Sequence, residues 1–522
     1  MSSILALFIA GLSLSSPTLA QNNDIPYSAC PLIGSYYPPP TFSRSSAMFA
    51  KLSSDFTTTF NQLIEKGGSD KYGPITPNTT SFSVVMFTGT DSRKEDPVFF
   101  EYHYTSPRDL SDTGTNITSN TKLPLGDLTM IFTVYAWLVE MGETWDAPIT
   151  QYIPELGNAS TPNGVSWSEV TIGSLAGHMS GLIRQMFAEK LAADPFVFHP
   201  DTTPMVSYTA FQLLAFAMRR HKGADTYSAV LHEAVLGPLN MTTSGLLNSD
   251  MKEIFAPKSL NLTKHGEPGA ISLVSTTTDL SRAGHAILSS RLLPPSVTRR
   301  WLRHSVDTSN LRNGVGRPWE IYRAGRSAIA PVVDVWTKSG SLGDHYASYF
   351  GLAPDFDVGF AILAHDGANG GSALDLNVYA DIGIAAAETA ARYAGTYRGG
   401  NDSVAVLNVT EDGPGIAVQE LRVDGVDVRA QAARQLGIAT VADLDFRLYP
   451  AILGKRSLRH EFVAVFQDRS APVDMGTPTC ITWQQIGSTA GVEYRYAFSL
   501  TDGEVAPKFE AATGSFRFHK LI

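Results

Sequence analysis

Residues Leu125–Met141 read LGDLTMIFTVYAWLVEM. Apolar side chains fall on every face of a helix drawn through this stretch (Leu128, Ile131, Phe132, Val134, Trp137, Leu138, Val139), which predicts a helix buried all round. It is too short and too well bounded for a membrane span and fits a central core helix. Gly126-Asp127 stands at its start, where Asp127 is a favoured N-cap whose carboxylate would bond the helix's first N–H groups. A helix N-terminus presents the positive end of the helix dipole, so chemistry is expected there.

Working outward, Ala47–Lys66 has helical spacing of apolar residues and stops at Gly67-Gly68. Ser81–Thr88 and Val98–Tyr104 alternate as two strands of a hairpin ahead of the buried helix. Downstream, Tyr208–Arg219, Thr226–Leu236 and Ile271–Leu288 are predicted helices. Val332–Thr337 alternates as a strand running into Lys338-Ser339-Gly340, and Tyr346–Leu352 and Val358–Ala364 are two further strands. Leu376–Tyr393 is an Ala-rich helix. After Gly395 short alternating runs are punctuated by Asp412-Gly413, Asp424-Gly425 and Asp502-Gly503, a hairpin-rich all-β pattern. The organisation expected is a signal peptide (1–20), an N-terminal arm (21–50), an α/β domain (51–393) and a C-terminal β domain (394–522).

The 522 residues exceed what one core normally serves, consistent with two domains. A net charge of −10 argues against nucleic acid or an anionic membrane as partner. The apolar run Ile4–Leu14 followed by Thr18-Leu19-Ala20 resembles a secretory signal with a small-residue cleavage site, so the protein is expected to be secreted and not stably inserted in a membrane. Seven Asn-x-Ser/Thr sequons, at Asn78, Asn116, Asn158, Asn240, Asn261, Asn401 and Asn408, agree with a glycosylated secretory product. The two cysteines, Cys30 and Cys480, can pair and tie the arm to the C-terminal domain, or remain unpaired buried thiols. No metal-ligand spacing occurs, and neither metal nor cofactor is expected.

The element order, with TKLPLGDLTMIFTVYAWL, VTIGSLAGHMSGL, MVSYTAFQLL and VWTKSGSLGDHYASYFGLAPDFDVGFAIL, resembles the β-lactamase/penicillin-binding-protein-like serine hydrolases, in particular the class C-like branch with its secreted fungal members. The likeness covers most of residues 45–390, and the tail from Tyr393-Ala394-Gly395-Thr396-Tyr397 resembles the β domain often appended to such proteins. The resemblance implies an antiparallel sheet flanked by helices with a helical insert, a transpeptidase-like domain, followed by the all-β domain. It also implies a small-molecule substrate or ligand.

The family's Ser-x-x-Lys sits on the first turn of the buried helix: the Ser attacks an acyl carbonyl and the Lys, one turn on, helps remove its proton. Here Gly126-Asp127-Leu128-Thr129-Met130 occupies that place, with Asp127 at the nucleophile position and Met130 at the amine position. A carboxylate could attack an acyl group only through a mixed anhydride, and a thioether takes no proton. The Tyr-x-Asn motif aligns on Val206-Ser207-Tyr208, leaving Tyr208 as a tyrosine that enters the site only after a one-turn rearrangement. Lys338-Ser339-Gly340 matches the third motif: Gly340 lets a ligand approach the strand, and Lys338 can bind a carboxylate or oxyanion. His178-Met179-Ser180-Gly181 also matches, in a structural role. Two stray Ser-x-x-Lys strings, at Ser119–Lys122 and Ser249–Lys252, are chance matches among many serines.

Asp127 is thus expected as an N-cap, a general acid/base or an ion-pair partner of Lys338; Met130 as core; Ser339 and Gly340 as substrate-binding. His345, just past the strand, and Asp344 are either pocket-mouth residues or exposed loop residues. Three functions remain open: a non-hydrolytic catalyst of cyclase or isomerase type in secondary-metabolite biosynthesis, a hydrolase or acyltransferase on an ester, lactone or amide, and a secreted binding protein without turnover.

Overall fold

The structure is a computed structural model that describes residues 31–32, 34–40, 47–69, 73–89, 97–159, 165–182, 195–247, 253–256, 267–324, 332–343, 345–367, 382–453, 458–470, 492–500 and 506–521. The signal segment, Cys30, Cys480, Asn261, Asp344 and the Ser249–Lys252 string lie outside the described residues. The chain forms two compact units, one of Pro38–Arg326 with Val332–Glu388, the other of Met1–Tyr37 and Ser327–Pro331 with Thr389–Ile522.

In the larger unit the described elements that matter for the site are, in chain order, α1 (Ala47–Lys66), β1 (Thr80–Thr88), β2 (Val98–Tyr104), β3 (Leu123–Pro124), α2 (Thr129–Met141), α3 (Tyr208–Lys222), β4 (Leu273–Ser275), α4 (Thr277–Leu288), β5 (Val306–Asp307), β6 (Asn313–Val315), β7 (Glu320–Ala324), β8 (Val333–Leu342), β9 (Tyr346–Ala353) and β10 (Val358–Asp366). An eight-stranded antiparallel sheet runs β2-β1-β10-β9-β8-β7-β6-β5. Helix α1 lays Phe56 and Phe60 on Phe82 and Phe100 of the sheet edge, with ring centroids 5.4 Å apart for Phe56–Phe100 and 6.1 Å for Phe60–Phe82. Helix α4 closes over the same sheet: a Cβ on Gly284 would lie 2.1 Å from the Phe87 ring, so only glycine permits that approach.

Helix α2 is buried all round, as its sequence predicts: Met130, Val134 and Trp137 are 0% exposed. Each such side chain contributes roughly 1.5–3 kcal/mol relative to exposure. The polar residues it carries inward are satisfied. Thr133 Oγ1 donates to the Gly269 carbonyl (2.6 Å) and meets the Tyr227 hydroxyl (2.8 Å).

One predicted helix is corrected. Ile271–Leu288 is not continuous: Leu273–Ser275 forms β4, paired with β3, and α4 begins only at Thr277. Thr276 is extended and its hydroxyl accepts from the Asp279 N–H, so the Ser/Thr run caps the helix instead of joining it. The described part of the Ala-rich helix is α5 (Ile382–Tyr393).

The C-terminal unit is an all-β barrel. Its strands β11 (Gly395–Arg398), β12 (Val404–Asn408), β13 (Ile416–Val423), β14 (Leu444–Leu453), β15 (Arg459–Asp468), β16 (Arg495–Ser499), β17 (Lys508–Ala511) and β18 (Arg517–Lys520) run in the order β12-β11-β18-β17-β16-β15-β14-β13 and close through β12–β13. Aromatic side chains such as Tyr397, Phe462, Tyr496 and Phe509 fill the interior, and helix α6 (Val428–Leu436), capped by Asp427, packs against it. Closure leaves no unpaired edge among these strands. Tyr36 and Tyr37 of the arm are buried on this unit, where Arg447 acts on Tyr37 and both tyrosines act on Tyr449.

Among the described residues no helix is long and apolar enough to cross a membrane, and no group of His, Cys, Asp or Glu is gathered as a metal site.

Candidate functional site

The site is built where the head of α2 meets β8. Gly126 adopts a left-handed backbone (φ +56°), and Gly126–Leu128 form a 3-10 turn that runs directly into α2. Leu125 N–H donates to Leu273 O (2.8 Å), and Leu273 N–H donates to Thr129 Oγ1 (3.0 Å), so β4 fixes the turn on both sides. Asp127 lies within that turn and is 7% exposed. This corrects the expected N-cap: a capping residue needs an extended backbone outside the helix, whereas the cap of α2 is Leu128, in helical conformation and without a side-chain bond. Met130 belongs to the hydrophobic core, as expected.

Strand β8 presses its backbone onto this turn. A Cβ on Gly340 would lie 2.2 Å from Leu125 O and 2.8 Å from Leu128 N, and a Cβ on Gly126 would lie 2.2 Å from Ser341 O. Ser348 Oγ on β9 donates to Leu125 O (2.6 Å). Two glycines, one on each side of the contact, therefore set how closely the motif strand and the Asp127 turn meet.

Lys338 is 1% exposed and is held by Glu320, not by Asp127. Its Nζ pairs with Glu320 Oε1 and donates to Ser339 O (3.1 Å). Glu320 Oε2 accepts from Ser339 N–H (2.9 Å) and Ser339 Oγ (2.8 Å). The register sets this: Glu320 of β7 faces Thr337 of β8, one residue from Lys338. Burial alone would raise the Glu320 carboxyl, but Lys338 and the Ser339 bonds outweigh it and hold the group below its ordinary range.

Behind this pair His178 is 4% exposed. Its Nε2 donates to Pro318 O (3.1 Å), which leaves Nδ1 as the lone-pair nitrogen, buried without a partner. Burial, reinforced by the nearby charge of Lys338, pushes the imidazole down to about 4.

A second carboxylate accompanies Asp127. Glu267 is half-buried, and its carbonyl accepts from Ala270 and Ile271 N–H (both 3.0 Å), closing the turn that leads into β4. Burial and then the negative charge of Asp127 raise its carboxyl, and its Oε2 is buried without a partner.

The structure thus brings together Asp127, Lys338, Ser339 and Gly340. Tyr208 is the first residue of α3, capped by Ser207, and packs in the main core at 7% exposure. His345 lies against the end of β10, its Nδ1 2.8 Å from Asp366 O and its ring 6.1 Å from that of His365. Glu320 and Glu267 escape the sequence reading: the first sits in an unremarkable strand, the second in a Glu-Pro-Gly turn, and only the fold carries them to the site.

The family model described as Beta-lactamase matches residues 90–383. The chain belongs to the β-lactamase family. A model described as Beta-lactamase-like-like, C-terminal domain, matches residues 385–512. A "Beta-lactamase-like protein" of Arthroderma benhamiae is 25% identical over 447 residues, covering 71% of this chain and 73% of the relative. Among solved structures, a β-lactamase/D-alanine carboxypeptidase from Yersinia pestis is 17% identical, covering 61% of this chain and 93% of its own, with a TM-score of 0.46. A class C β-lactamase is 18% identical, covering 66% and 96%, with a TM-score of 0.45.

Within this β-lactamase-family domain Asp127 lies in the turn that leads into the buried helix, Met130 is core, and Lys338 is paired internally with Glu320. Burial, and then the Asp127 charge, raises the carboxyl of Glu267, because like charges resist ionising together.

Proposed function

We propose that the protein takes a small molecule where the Asp127 turn meets β8 and acts on it without an acyl-enzyme, as a non-hydrolytic acid–base catalyst of isomerase or cyclase type. The observation that carries this reading is the tight packing of the Asp127 turn on a strand whose lysine is already paired with Glu320; the Asp127 charge, after burial, raises the Glu267 carboxyl. Asp127 accepts a proton from a carbon or hydroxyl of the ligand, and Glu267 delivers one to a carbonyl or epoxide oxygen. No bond to the protein forms; the ligand is isomerised or closed, and the two carboxyls return to their starting states by proton exchange with water. A step of secondary-metabolite biosynthesis is the setting in which such chemistry serves. The described sequon asparagines Asn78, Asn116, Asn158, Asn240, Asn401 and Asn408 are all exposed, which supports a glycosylated product of the secretory pathway.

The test is the titration of Glu267, read as the carboxyl signal lost in Glu267→Gln, in wild type and in Asp127→Asn. The reading expects the Glu267 pKa to fall when the Asp127 charge is removed. An unchanged titration contradicts it. Ester hydrolysis by the wild type that disappears in Asp127→Asn would point instead to water activation.

A further inference from the structure

The Lys-Ser-Gly strand offers a carboxylate cradle: an ammonium, a backbone N–H and a hydroxyl converging within two residues. In this chain the cradle is filled from within. Glu320 spends one oxygen on Lys338 Nζ and the other on both Ser339 donors, so a single internal carboxylate takes up the groups that would hold an external one. Ser339 is exposed while Lys338 is buried, so this internal carboxylate sits at the solvent-facing end of the cradle.

We propose that Glu320 is a specificity determinant: it occupies the anion subsite in place of a ligand carboxylate, so the pocket refuses carboxylates and takes ligands that are neutral or cationic at this end. A ligand carboxylate would have to expel Glu320 from Lys338 and Ser339 and leave it unpaired, whereas an uncharged hydroxyl, carbonyl or ammonium meets an acceptor there. This inference concerns which ligands enter and holds whether or not the protein turns them over.

The experiment uses the full chain at neutral pH and two probes, benzylpenicillin and its methyl ester, which differ in one charge. Binding is followed by titration calorimetry. The wild type is expected to bind the carboxylate no more tightly than the ester. Glu320→Gln, which frees Lys338 and removes the competing charge, is expected to gain at least tenfold in affinity for benzylpenicillin with little change for the ester. The further substitution Lys338→Met in that background should abolish the gain. If Glu320→Gln does not fold, Glu320→Asp, which withdraws the carboxylate by one methylene, serves for the same comparison with a smaller expected gain. A wild type that prefers the carboxylate over the ester, or a folded Glu320 variant with no gain, overturns the proposal.

Discussion

Gly340 faces the carbonyl oxygen of Leu125 so closely that a Cβ at position 340 would stand 2.2 Å from it. Besides the Ser348 hydroxyl, the obstructing atoms Leu125 O and Leu128 N are backbone, which cannot swing aside as a side-chain tip can. Gly340→Ala is therefore expected to force β8 away from the Asp127 turn and to destabilise the protein by at least about 1–3 kcal/mol. Denaturant unfolding measures this. Gly126→Ala should be no milder, because it adds left-handed strain at φ +56° to its overlap with Ser341.

The Lys338–Glu320 pair is asymmetric in burial: the Lys338 side chain is 2% exposed and that of Glu320 41%. Removing Glu320 strands a buried cation, so Glu320→Ala is expected to cost about 3–5 kcal/mol. Lys338→Met leaves a carboxylate that water can reach, still bonded to Ser339, and should cost clearly less. Comparing the two unfolding midpoints checks the order, and equal losses would contradict it.

The contrast between these residues explains what could be read in advance. Periodicity carries short-range information, so the buried character of Trp137 and Val134, the strand leading into Lys338 and the all-β character after Gly395 were legible, whereas the closure of those strands into a barrel was not. Asp127 was legible as a departure from the family pattern but not as part of a 3-10 turn, because that turn depends on Leu273 bonding from far along the chain. The split of Ile271–Leu288 has the same origin: β4 exists because β3 pairs with it. Glu320 and Glu267 were invisible because no local pattern marks them; strand register delivers one and a turn bonded ahead of β4 delivers the other.

Buried His178 and half-buried Asp355 give stability opposite pH dependences. His178 is depressed from 6.5 to about 4, so between those values the unfolded chain takes up a proton that the folded one refuses. Stability falls as pH drops through that window, and His178→Gln should lessen the fall. Asp355 is raised from 3.8 to about 6, chiefly by burial and then by Asp334. The associated stability is full below about 4 and lost as pH rises through 6, so Asp355→Asn should stabilise at pH 7 and be neutral near pH 3.5. At roughly 1.4 kcal/mol per pKa unit, each effect is at most about 3 kcal/mol. Unfolding free energies at pH 4–8 check both signs.

Asp127 and Met130 stand three residues apart at the head of α2, where a nucleophile and its amine would share one face. Asp127→Ser combined with Met130→Lys is expected to yield esterase activity on p-nitrophenyl acetate that neither single variant has. Activity in the Met130→Lys variant alone would mean that another residue already serves as nucleophile.

A domain that works without an acyl-enzyme, as proposed, takes up no acylating or phosphonylating reagent. Intact-protein mass spectrometry after incubation with a fluorophosphonate and with penicillin V is expected to return the unmodified mass with both; a stoichiometric adduct that maps to a serine would overturn the proposal.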